Sequence, residues 1–393
     1  MTAPLPQTLN LPMADFWRLT LLLGAVGLAQ GSLLPHAGLA LEQAGLGSGT
    51  IGLILASHAL GLILALPLTA PALARLGARA TLMGASGSAG LLVLLASQPL
   101  TPPALTLALV LSGIALGLVF NLVEAWVNSL LPDASRGRWL AIHCTVYTLC
   151  QLAGPLLLDA LGHAVGLGLA ALGLGLTTGL VPRQGAPLEE DPEGSPEPWH
   201  HWLREAPAIL WGTGLFALFD ALILGILPLY LIQQGQPVSL ALGAASLVLA
   251  GDCALEWVMG WLADRLGRLP VQLGCGAGLL GCALALPASL GTPFASPLLF
   301  LMGGAAGGIY VLAVMSAGQR YNGARLVRIT ALQGAVWGLA GCLGPALTGL
   351  LMDLGPRWAL PGMLAGGSLL LLLTLALETA RAGNAVSSPP TLP

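Results

Sequence analysis

The chain has 393 residues, of which 56% are hydrophobic and 8% charged, with a formal net charge of -3. A soluble domain carries about 25% charged residues, so this composition is that of an integral membrane protein. The low charge and the lack of a basic patch exclude a nucleic-acid partner.

The opening MTAPLPQTLNLPMADFWR has no basic start and no cleavage site before its long apolar run, so the first membrane helix is expected to be retained. A spanning helix needs about 20 apolar residues. Twelve segments meet that need, at about 16–36, 49–69, 78–97, 103–130, 138–160, 163–182, 207–232, 239–262, 270–288, 295–317, 328–352 and 357–379. They predict an all-α membrane protein of twelve transmembrane helices. The 54 glycines do not argue for loops, because small residues let membrane helices approach closely.

Charge inside such helices is expensive, at roughly 2.5–3.5 kcal/mol for an ionised acid at the centre. The exceptions are therefore candidates for chemistry. The second segment holds His58, more often a packing residue than a ligand. The fourth holds Glu124 and the fifth His143, both counted into the half nearer the arginine-bearing end. Asp220 in the seventh and Asp252 in the eighth fall near the midplane. Glu256 lies one turn from Asp252, and Asp252, Glu256, Gly260 and Asp264 share one helical face. Gln30, Asn121, Tyr310 and Gln333 either bind substrate or tie helices together. Trp126, Trp257 and Trp337 line a path or pack. Gly154-Pro155 and Gly344-Pro345 bend the fifth and eleventh segments. Asp159, His163 and Asp353 count to the outer ends, where they are expected to be solvated.

Residues 183–206 form the only long polar stretch, and its Pro and acidic residues rule out a packed core. It reads as a linker between a first bundle (1–182) and a second (207–381), with 382–393 a disordered tail. Trp199 and Trp202, flanking His200-His201, are expected to anchor at the membrane interface. All basic residues are Arg. Arg18, Arg75, Arg79, Arg136, Arg138, Arg183, Arg204, Arg265, Arg268, Arg320, Arg325, Arg328 and Arg381 lie at one set of alternate helix ends, and Arg357 alone at the other. The positive-inside rule then places both termini in the cytoplasm.

An internal repeat supports two halves. Adding 190 carries Arg75-Leu76-Gly77 onto Arg265-Leu266-Gly267, Gly117 onto Gly307, Arg138 onto Arg328, Gly154-Pro155 onto Gly344-Pro345, and His143 onto Gln333. A duplicated six-helix unit predicts that pattern. The halves are thus two pseudo-symmetric six-helix bundles.

Gly260-Trp261-Leu262-Ala263-Asp264-Arg265-Leu266-Gly267-Arg268 fits the loop signature G-x-x-x-D-R-x-G-R of the major facilitator superfamily, which this chain resembles over nearly its whole length. The corresponding first-half loop keeps Arg75, Gly77 and Arg79 but lacks the Asp. The Glu124 region with SRGR at 135–138, and LPLYL at 227–231, resemble the bacterial YcaD-like branch. The resemblance implies the major facilitator fold, a monomer, a plasma or inner-membrane location, and transport of a small molecule by alternating access. It implies that Gly260, Asp264, Arg265, Gly267, Arg268, Arg75, Gly77 and Arg79 form gate loops. It places the helix-8 stripe near Arg136, Arg138 and His143, so that Glu256 with His143, or Asp220, exchanges protons. Two patterns of the family are absent: the Arg of many proton-coupled members is Leu109 here, and the fuller Gly-Pro signature of drug antiporters is not met around Pro155.

The expected function is secondary transport, proton-coupled, leaning to export of amphipathic or cationic compounds. The cavity acids Asp220, Asp252, Glu256 and Glu124 with His143 and Gln333 carry it, while Pro155 and Pro345 supply the helix bends. Uptake by proton symport and a transport-inactive membrane sensor are the alternatives. No cofactor or metal is expected. Cys144, Cys150, Cys253, Cys275, Cys282 and Cys342 lack metal-ligand spacing, and no motif for an enzyme or an ATP-driven pump occurs.

Overall fold

In lipid, backbone N–H and C=O groups must be satisfied within the segment that crosses, and the Leu-, Ala- and Gly-rich runs of this chain do so as helices. The computed structural model describes residues 13–131, 136–183, 199–321 and 323–387. The helices are α1 (Met13–Gln43), α2 (Ser48–Ala96), α3 (Pro102–Leu130), α4 (Arg136–Leu161), α5 (His163–Thr178), α6 (Trp199–Glu205), α7 (Pro207–Gly225), α8 (Leu227–Gln233), α9 (Val238–Leu266), α10 (Arg268–Ser289), α11 (Ala295–Arg320), α12 (Gly323–Leu354) and α13 (Pro356–Ser387).

Among the described residues, ten helices are long and apolar enough to cross a membrane. The expected count of twelve is reached only if α2 is taken as two arms and α5, whose 16 residues fall short of that length, is added. The 49 residues of α2 would run to about 74 Å at 1.5 Å per residue. Gly77 divides them, with φ 77° and ψ 162°. The segment expected at 207–232 is α7 followed by the short α8, with Ile226 between them.

The repeat is built into the backbone. Gly77 and Gly267, 190 positions apart, share the same conformation, Gly267 having φ 86° and ψ 156°. Gly45 and Gly235 form a second such pair, at φ 78° and 82°. A side chain in that region is strained, so these turns require glycine. Gly61 and Gly113 bring α2 and α3 so close that neither has room for a Cβ. Gly251 and Gly303, again 190 positions on, do the same for α9 and α11.

Two expectations are corrected. Trp202 is no interfacial anchor: it is 3% exposed and packs on Tyr321, with ring centroids 5.2 Å apart. Arg325 fixes α6 on the second half by donating to both Glu205 carboxylate oxygens, at 2.8 and 2.7 Å. The end of the chain differs too, since α13 runs on to Ser387 through the start of the expected tail. Linker residues 184–198 and the side chains of Trp199, His200, Arg136, Arg138 and Arg381 lie outside the described residues.

Candidate functional site between the two halves

Among the described residues, four hydrogen bonds cross from one half to the other. Gly49 N–H donates to Asp353 Oδ2 at 3.0 Å, Gln233 Nε2 to Ser48 Oγ at 2.7 Å, Ser246 Oγ to the Leu152 carbonyl at 2.9 Å, and Gln151 Nε2 to Asp220 Oδ1 at 3.4 Å. All four lie between the middle of the helices and the end remote from the arginines. There α2 and α12 cross closely, with Gly52 against the Pro345 carbonyl and Gly349. Further along, Ala59 faces Gly341 and Ile63 faces Gly338. Toward the arginine-rich end a Cβ added at Gly334 or Gly260 would meet nothing. Cys144 on α4 is exposed there, within electrostatic reach of Glu124 and Glu256. The space between the halves is closed at the far end and opens at the arginine-rich end.

Asp220 stands at the closed apex of that space. The Gln151–Asp220 bond joins α4 to α7, and so one half to the other. Gln151 Nε2 also reaches Tyr147 Oη at 3.4 Å, and Tyr147 Oη donates to Gln30 Oε1 on α1. Sequence reasoning missed Tyr147 and Gln151. Their signal was present: His143, Tyr147 and Gln151 recur every four residues as a polar stripe on α4.

Asp252 is 6% exposed and packs on α11, where a Cβ at Gly307 would collide with its carboxyl group. In the first half the same slot holds Leu62, packed on Gly117. The fold therefore needs only an apolar side chain here, and the acid is an addition to it. No hydrogen bond reaches the Asp252 carboxyl among the described residues, and Glu256 and Asp220 act on it electrostatically. Glu256, one turn away, is half-buried and lies within electrostatic reach of Cys144 on the other half.

His143 does not pair with Glu256. It is fully buried, its Nδ1 2.9 Å from Thr20 Oγ1 and its Nε2 3.5 Å from Glu124 Oε1, an ion-pair distance outside hydrogen-bond geometry. Gln333 is likewise a tie between helices, donating to Thr213 Oγ1 at 2.8 Å with both groups buried. The two contacts are analogous: His143 and Gln333 are repeat partners, and each joins the fifth crossing of its half to a threonine on the first, although Thr20 and Thr213 are 193 positions apart.

The C-terminal wall is aromatic. Phe216 and Tyr310 stack at 4.8 Å, and Trp337 lies 5.5 and 5.2 Å from them. Trp257, by contrast, is 82% exposed, and Trp126 is buried in the first half. Among the expected bends, Pro155 and Pro345 both sit inside continuous helices. Gly154 packs on the backbone at Gly31 and Gly344 on Leu218, so each Gly-Pro step rests on the first crossing of its half.

The gate-loop residues are spread over the arginine-rich end. Arg268 donates to the Met315 carbonyl at 2.8 Å, and Arg265 lies 3.9 Å over the Trp261 ring. Asp264, Arg75 and Arg79 are exposed. His58 contacts Ser112 at 3.3 Å as buried packing, and Asn121 reaches Thr69 at 3.4 Å. Two residues expected to be solvated at the outer ends also make contacts there: Asp353, which is exposed as expected, caps α2, and part-buried His163 has its Nδ1 2.8 Å from His36 Nδ1.

Residues 19–293, more than half of the chain, match the family model described as Major Facilitator Superfamily. An "Uncharacterized MFS-type transporter" of Yersinia pseudotuberculosis serotype O:3 (strain YPIII) is 27% identical over 270 residues, covering 67% of this chain and 70% of its own length. The MFS-type transporter YcaD of Salmonella heidelberg (strain SL476) is 28% identical over 294 residues, covering 70% of this chain and 73% of its own. The solved nucleoside transporter NupG superposes with a TM-score of 0.73 at 15% identity, over 92% of this chain and 99% of that one. A D-xylose-proton symporter gives 0.67 at 15%, over 91% and 97%. At such identities these structures establish the fold.

Proposed function

The chain belongs to the Major Facilitator Superfamily, a family of secondary transporters, and from that premise we propose that it couples proton movement to transport of a small molecule, leaning to export of amphipathic or cationic compounds. Thirteen of the 14 arginines mark the open end as cytoplasmic, which supports cytoplasmic termini and a cavity facing the cell interior. The observation that carries the proposal is the Gln151–Asp220 bond. It ties an acid at the apex of the cavity to the opposite half, so the partner and hydration of Asp220 must change whenever the halves rock apart. An acid whose surroundings alternate takes up a proton in one state and releases it in the other.

Glu256 and Asp252 extend the acidic wall, and Glu124 with His143 forms a second titratable pair on the first half. Phe216, Tyr310 and Trp337 offer an aromatic surface beside the acids, the combination that suits a cation with an apolar body. On this reading the loops holding Gly260, Asp264, Arg265, Gly267 and Arg268, and Arg75, Gly77 and Arg79, meet when the cytoplasmic side closes.

The test is transport in vesicles holding a pH-sensitive dye, with a panel of organic cations and neutral metabolites, for the wild type and Asp220→Asn, Glu256→Gln and Glu124→Gln. Compound-dependent proton flux that disappears in Asp220→Asn supports the proposal, and its direction separates export from uptake by symport. Transport without proton movement, equal in all variants, refutes the coupling. The absence of transport for the whole panel, with intact folding and conformational exchange, favours a sensor.

A further inference from the structure

A second concavity, of about 280 Å³, lies at the arginine-rich ends of α7, α10, α11 and α13. Every wall belongs to the second half, so it is separate from the space between the halves. Its polar lining is Arg268, Gln272, Ser316, Gln319, Arg320, Glu378 and Thr379.

The donors here outnumber what the protein uses. Glu378 is committed on both oxygens: Oε1 accepts from Ala208 N–H at 2.9 Å, and Oε2 takes Arg320 at 3.4 Å. Arg268 spends one N–H on the Met315 carbonyl, and a guanidinium has five. Gln272 is only 5% exposed, yet its carboxamide makes no hydrogen bond among the described residues. Its amide atoms are not sealed off from the cleft, where they stand beside two guanidinium groups. Two Arg against one Glu leave the lining with a surplus of one positive charge.

We propose that this cleft binds a phosphate-bearing anion, held by Arg268, Arg320 and the Gln272 amide. Guanidinium groups match phosphate oxygens bidentately. Basic pockets between membrane helices at one face are suited to lipid headgroups, and a free phosphate offers the same oxygens to the same donors.

The test is thermal unfolding of the full chain in maltoside micelles, titrated with dioctanoyl phosphatidylglycerol, inorganic phosphate, and dioctanoylglycerol, which lacks the phosphate. Phosphatidylglycerol raises the melting temperature, and half-saturation moves about tenfold higher in Arg320→Gln and in Gln272→Leu, the loss expected for one charge-assisted contact. Gln272→Leu removes an amide that makes no hydrogen bond among the described residues and breaks no contact within the fold's polar network, so it keeps the test open if Arg320→Gln unfolds. Arg204→Gln, at an exposed position of α6, titrates as the wild type. Protection by the lipid alone identifies a headgroup site; protection by inorganic phosphate as well identifies a site for free phosphate. Equal protection by dioctanoylglycerol, no protection by either phosphate probe, or unchanged titration in Gln272→Leu overturns the proposal.

Discussion

Replacing Asp353 by Ala opens the far end of the transporter. The N-cap position of α2 is Gly47, which has no side chain to cap with. The Asp353 carboxylate supplies the cap instead, from α12 on the other half, accepting from Gly49 N–H at 3.0 Å. Loss of a capping side chain costs about 0.5–2 kcal/mol, and a negative charge at a helix N-terminus adds about 0.3–1 kcal/mol. Taking about 1.5 kcal/mol, the ratio of far-closed to far-open molecules falls roughly tenfold. The Gln233–Ser48 bond survives the substitution, so the gate is weakened and not abolished. Ala59, 8% exposed and opposite Gly341, is a suitable reporter. An Ala59→Cys thiol should react with an impermeant maleimide, added from the far side, about ten times faster with Asp353→Ala than without. Asp353→Asn keeps an acceptor but loses the charge, and should fall between. Equal labelling in all three backgrounds would refute the view that this cap holds the halves together.

The repeat supplies two more tests. Because Leu62 fills the slot that Asp252 fills, Asp252→Leu should stabilise the fold by on the order of 2 kcal/mol while impairing transport, read as a higher melting temperature with reduced flux. Destabilisation beyond that of Asp252→Asn would show that the slot is not equivalent. Thr213→Val strands the Gln333 amide and should cost about 1–3 kcal/mol of stability with substrate affinity retained. A changed affinity at unchanged stability would return Gln333 to the substrate cavity.

Much of this fold is legible because its rules are coarse. Apolar length gives the crossings, and the 190-residue offset gives the two halves. The site is less legible because partners are set by helix rotation. Glu256 and His143 lie in the same half of the membrane by residue count, yet His143 turns toward Thr20 and Glu124. Asp353 reads only as a solvated end residue, which it is, and nothing in its own helix announces that α2 begins against it. Asp220 is found from sequence as a lone acid in an apolar helix, whereas Tyr147 and Gln151, uncharged, are not conspicuous until the stripe with His143 is counted.

The docking of α6 changes what joins the two halves. With Trp202 buried and Glu205 clasped by Arg325, the seven residues of α6, near the end of the polar connection, travel with the second bundle as part of its body. The covalent tether is then only the stretch from Arg183 to Trp199. A gene split within that stretch would yield a second fragment that begins with its own folded plug, Trp202 already seated against Tyr321. Fragment pairs cut before α6 should thus reassemble more readily than pairs cut after it, which would expose the apolar seat that α6 fills.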